Sequence, residues 1–174
     1  MFSIAKSASQ SLPEVTRGSV IVEHIRVDSV KPYCDTRAAL ETLPHFDDSI
    51  RTLLRHGDIE HVKSALEFIQ GAAGLVIFSI ATHGDWLQIL SKKRNVVQYV
   101  IGNVLVSTQM TQHELAAGLY APLRIVLYEN EEGTSTFEYD RPSTLFGQYS
   151  NEDVTAVARE LDQKIYDILI KAAT

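Results

Sequence analysis

Arg124 lies within Leu123 to Asn130, a run that alternates apolar and polar side chains. A guanidinium held in mid-strand can grip a carboxylate or phosphate through two parallel hydrogen bonds. Period-two counting puts Tyr128, Glu138 and Asp140 on the same face, with His24 and Arg26 available from a neighbouring strand. Together they would line a polar groove for a small anionic ligand. The plainer alternative is a cross-strand Arg124–Asp140 ion pair on a solvated face, worth at most about 1 kcal/mol.

A second set is His83-Gly84-Asp85, an imidazole beside a carboxylate where a strand ends, a position suited to a general acid or base. The identical tripeptide His56-Gly57-Asp58 also leads into a helix, and a turn glycine plus an Asp N-cap accounts for both without catalysis. Trp86, just after, suits a core or dimer contact better than a ligand platform. His56, Asp58, Glu60 and His61 have the right types for a metal. Adjacent residues on a helix diverge, however, so no metal is expected there. Cys34 has no base beside it, and Asp35 disfavours a thiolate. Nucleophile elbow, P-loop, paired dinucleotide glycines and zinc spacing are all missing from the sequence, and no cofactor is expected.

The elements that must position these residues centre on a hairpin. Leu123 to Asn130 and Thr134 to Asp140 flank Glu131-Glu132-Gly133, a three-residue loop with glycine in the left-handed position. That loop closes on Asn130 and Thr134 and sets Leu127 against Phe137, Ile125 against Tyr139 and Arg124 against Asp140. A loop one residue longer would mix polar and apolar side chains on the buried face. Leu123, Ile125, Leu127, Phe137 and Tyr139 are therefore expected inside. Arg124, Val126, Tyr128, Thr136, Glu138 and Asp140 are expected on the other face.

A first strand is read in Ser19 to Val30, with Ile21, Ile25 and Val27 on one side and His24, Arg26 and Asp28 on the other. Helices follow, opened by Asp35, by Asp47 or Asp48, and by Asp58. Leu75 to Thr82 is apolar on both faces and reads as a central strand. Asp85 opens a short helix, and Val96 to Ile101 is a strand ending at Gly102-Asn103. Thr111-Gln112-His113-Glu114 has the form of a capping box. Pro142 to Gly147 reads as a turn. Ser150 then caps a long helix with Val154, Val157, Ala158, Leu161, Ile165, Ile168 and Leu169 in one stripe. The pattern indicates an α+β fold in two layers, a mainly antiparallel sheet packed by helices. Residues 1–18, Ser-rich, are expected to form a flexible arm, and 19–174 a single domain.

The 174 residues are 45% hydrophobic and carry 16 Lys plus Arg against 22 Asp plus Glu, a formal charge of -6. An acidic chain is a poor binder of phosphate backbones, so no nucleic-acid partner is expected. A single cysteine points to a reducing, cytoplasmic setting. Neither a secretory leader nor a membrane-spanning run is read in the sequence.

Ala121-Pro122-Leu123-Arg124-Ile125-Val126-Leu127-Tyr128-Glu129, followed by Phe137-Glu138-Tyr139-Asp140-Arg141-Pro142, resembles the bacterial domain-of-unknown-function 302 family. The matching features are its "LPLR" strand with a "YED" end, a glycine turn and a "Y-x-x-P" exit. Ile101-Gly102-Asn103 is similar to that family's "FGNP" strand end, and Thr82-His83 stands in place of its "DH" pair. The likeness runs from about Ile59 to Arg159, with Val104 replacing the proline and Thr82 the acidic residue. Tyr33 to His56 looks like an added helical region. The resemblance implies a TATA-binding-protein-like α+β arrangement and a homodimer, with no established activity and no DNA binding. The expectation is a homodimeric binding or accessory module for a small anionic ligand or a protein partner. The alternative is a small enzyme with His83 or Asp85 as acid or base and Arg124 as anion anchor.

Overall fold

A computed structural model describes residues 13–174. The expected arm therefore lies mostly outside the described residues, while 13–23 are irregular and almost all exposed. Five strands form one antiparallel sheet: β1 (His24–Asp28), β2 (Val76–Ala81), β3 (Val96–Gly102), β4 (Leu123–Glu129) and β5 (Ser135–Asp140), in the spatial order β1-β5-β4-β3-β2. The helices among the described residues are α1 (Tyr33–Leu40), α2 (Ser49–Arg55), α3 (Ile59–Ile69), α4 (His83–Trp86), α5 (Val104–Thr111), α6 (Pro142–Phe146) and α7 (Glu152–Ala173).

The hairpin forms in the expected register, with Leu127 opposite Phe137 and Ile125 opposite Tyr139. Asn130 and Thr134 close it through the Asn130 N–H to the Thr134 carbonyl at 3.0 Å, and Gly133 sits at φ +80°. Leu123, Ile125, Leu127, Phe137 and Tyr139 are all buried. The α7 stripe lies in the same core, with Val154, Ala158, Leu161, Ile165 and Leu169 buried and Val157 and Ile168 partly so. On the opposite face of the hairpin the side chains are half-buried or exposed, apart from Thr136, which is sealed where its hydroxyl donates to Asp28.

Several local expectations give way to longer-range contacts. The first strand begins at His24, and Ile21 is exposed; only residues with a β5 partner are held extended. The second strand is an edge strand, not a central one. Its apolar outer side at Ile77 is met by Pro44 and Phe46, whose backbones bond to Ile77 at 2.9 Å each way, and Phe46 stacks on Phe78. Thr111 closes a helix instead of opening one. The true cap is Asn103, whose Oδ1 accepts from the Leu105 and Val106 N–H groups. Likewise Asn151 caps α7, while Ser150 takes a left-handed conformation. Asp35 and Asp85 lie inside first turns whose caps are Pro32 and Thr82. Pro142 begins a short helix, with Asp162 of α7 accepting the Ser143 N–H at 2.8 Å.

Polar ties fasten α1 to this frame. The Tyr99 hydroxyl donates to Glu41 at 2.9 Å, and the Arg37 guanidinium to the same carboxylate at 2.8 Å. Burial, reinforced by that carboxylate, pushes the Tyr99 phenol far above its ordinary pKa. Thr36 is fully buried and meets the hydroxyls of Ser29 and Ser135, each at 2.8 Å.

Candidate functional site

The exposed sheet face assembles part of the expected constellation. β1, β5 and β4 set His24 opposite Asp140, Arg26 opposite Glu138, and Glu138 opposite Val126. The Tyr128 hydroxyl donates to Glu138 Oε1 at 2.6 Å. The His24 ring spans two carboxylates, Nε2 at 3.0 Å from Glu138 and Nδ1 at 2.9 Å from Asp140. Both ring nitrogens donate only in the imidazolium, so these contacts raise the His24 pKa, Asp140 acting most strongly. Glu138 is held below the usual carboxylate range by the Tyr128 hydroxyl and then by His24.

His24 therefore takes the carboxylate that would have faced Arg124, and the Arg124–Asp140 ion pair does not form. Arg26 is bound to Asp28 at 2.9 Å. Arg124, opposite Val100 and exposed, has no ion-pair partner among the described residues. Around it lie the half-buried apolar side chains Val100 and Val126. The three carboxylates of this face are engaged by His24, Arg26 and neighbouring hydroxyls, and none of them is paired with Arg124.

His83 and Asp85 are not part of that group. Arg124 is level with Val100 and Ser79, and His83 comes four residues after Ser79, two strands away. The offset is roughly 13 Å along the strands and 10 Å across them. Both side chains are exposed. The glycine between them has a structural duty: a Cβ on Gly84 would stand 2.2 Å from the Arg94 carbonyl oxygen, so the backbone of α4 rests directly on the approach to β3. In the twin tripeptide, Gly57 instead adopts φ +76°, and Asp58 caps α3 while accepting from the His61 ring at 2.8 Å. No group of three or more His, Cys, Asp or Glu converges as metal ligands among the described residues.

A feature not legible in the sequence lies at the end of the sheet where β3 stops and β4 starts. There a cavity of about 220 Å³ opens among α5, α6 and α7, with Arg51 at its edge. Its walls come from six separate parts of the chain, which no local pattern brings together.

The family model described as Domain of unknown function DUF302 matches residues 50–172, well over half of the sequence and more than the resemblance alone suggested. The chain belongs to the DUF302 family. A crystal structure of an uncharacterized conserved DUF302 protein from Bacillus stearothermophilus is similar in fold, at 16% identity and a TM-score of 0.61, covering 86% of this chain and 97% of that one. No curated protein matches the chain. Most of the Tyr33–His56 region precedes the part that DUF302 matches.

Proposed function

We propose that this DUF302 chain is a non-catalytic binding module. Residues 19–174 work as one domain, paired with a second copy, and the exposed sheet face takes a small anionic ligand through Arg124, flanked by Tyr128 and Glu138. One observation carries the reading: among the described residues every other charged side chain on that face is engaged with a neighbour, and Arg124 is not. The surrounding Val100 and Val126 would shed water from a ligand seated there, strengthening a charge-assisted contact. Trp86, Ile89 and Leu90, all largely exposed, supply apolar surface suited to a second copy. The single cysteine fits a reducing, cytoplasmic setting. No described helix is long and apolar enough to cross a membrane.

An enzyme built on His83 or Asp85 with Arg124 gains no support, because those groups do not converge on one reacting atom. The test is a thermal-shift screen of small dicarboxylates and phosphorylated metabolites against wild type and Arg124→Ala. Ligands that raise the wild-type Tm should lose most of that effect in the variant. Equal shifts in both proteins remove Arg124 from the binding face.

A further inference from the structure

We infer that the cavity at the β3–β4 end of the sheet is a second binding site, for a small amphipathic carboxylate: an unbranched or aromatic acid with its tail inside and its charge at Arg51. This goes beyond the exposed-face reading and does not depend on it. The floor is formed by Met110, Phe146, Leu123 and Leu161, which are buried side chains with no charge among them. A buried apolar cavity of ~150 Å³ accommodates benzene, so about 220 Å³ suits roughly nine non-hydrogen atoms. That is an acyl tail of about six to eight carbons, or one ring with a short arm.

The mouth is where the charge selection arises. Arg51 lies over the Phe46 ring at 5.1 Å, and Phe46 stacks on Phe78, itself a wall of the cavity, at 4.8 Å. Asp48 takes the Arg51 Nε at 3.0 Å, which steadies the guanidinium and leaves its terminal nitrogens to meet an oxyanion. Asn103, also on the wall, is fully spent: its amide donates to Gln70 and Gly74 and its oxygen accepts two N–H groups. Ser107 donates to the Val104 carbonyl at 2.9 Å, keeping only acceptor capacity. The lining thus offers an apolar tail no competing donor, and Arg51 is the one lining side chain that carries a charge.

The test uses calorimetric titration of the whole chain with sodium butanoate, hexanoate, octanoate and decanoate, and with 1-octanol as the uncharged control. Octanoate should bind with Kd on the order of 0.1–1 mM. Affinity should climb about threefold to fourfold per methylene up to octanoate and then level off as the tail outgrows the cavity. Arg51→Met should weaken octanoate about fivefold or more and leave 1-octanol unchanged. Ser107→Leu, which adds bulk to the cavity lining, should abolish binding. Failure of octanoate to bind wild type, or equal octanoate affinity in Arg51→Met, overturns the site. Loss of octanoate binding in Arg124→Ala would place the acid on the sheet face instead, and equally overturns it. Should Ser107→Leu not fold, the Arg51→Met comparison decides alone.

Discussion

His24 governs the charge balance of the exposed face, and its protonation state has a measurable sign. Its pKa is raised in the folded protein, so its stabilising contribution is complete below the ordinary imidazole value of about 6.5. That contribution is lost as pH rises through the folded value. Glu138 runs the other way: its pKa is lowered, so its contribution holds above the ordinary carboxylate range and disappears as pH falls through the folded value. Stability on this account is greatest between the two. His24→Gln should flatten the fall in Tm from pH 6 to 8, a loss of about 0.5 kcal/mol after allowing for exposure. An unchanged slope would mean that the imidazolium bridge is not formed in solution. The two His-Gly-Asp tripeptides give a second residue-level prediction. Gly84→Ala forces a methyl against the Arg94 carbonyl and should cost roughly 1–3 kcal/mol in urea denaturation, with Gly57→Ala costing about 1 kcal/mol through its positive φ. A neutral Gly84→Ala would show that α4 does not rest on β3 as described.

At the level of elements, Thr36 ties α1 to β5 and to Ser29, the residue just after β1. Thr36→Val keeps the shape but leaves the Ser135 hydroxyl with only a 3.4 Å contact to the Lys31 carbonyl, while Ser29 keeps Ala173 and Lys31, and should lower stability by roughly 1–2 kcal/mol. A midpoint unchanged in denaturant would mean that the Lys31 carbonyl satisfies Ser135 without Thr36. The hairpin was legible in the sequence because alternation, loop length and Gly133 all pointed to one register, and local chemistry alone decides it. The α7 stripe was legible for the same reason, at helical spacing. The edge position of β2 was not, since its second apolar side is covered by Pro44 and Phe46, thirty residues earlier in the chain. Asn103 was within reach: an Asn before Val104-Leu105-Val106 is an ordinary N-cap signal, overshadowed by the stronger-looking Thr111-to-Glu114 pattern. Of the candidate site, the face shared by Arg124, Tyr128 and Glu138 followed from periodicity. That His24 would claim Asp140 did not, because it depends on which strand lies beside β5.

For the whole molecule, the proposed pairing predicts a sedimentation coefficient that rises with concentration toward a dimer. Trp86→Ser should shift the equilibrium toward the monomer about tenfold if that exposed indole is buried between copies. A wild-type chain that sediments as a monomer at every concentration rules the pairing out. The far end of α7 has a consequence of its own. Ala172 and Ala173 are buried, and the Ala173 carbonyl accepts from both the Ser29 hydroxyl and the Val30 N–H. Purification tags or reporters joined after Thr174 therefore need a spacer, since a bulky graft there would pry the helix tip from the loop that follows the first strand. Removing residues 172–174 would do comparable harm, stripping from that seam the one carbonyl that accepts both bonds.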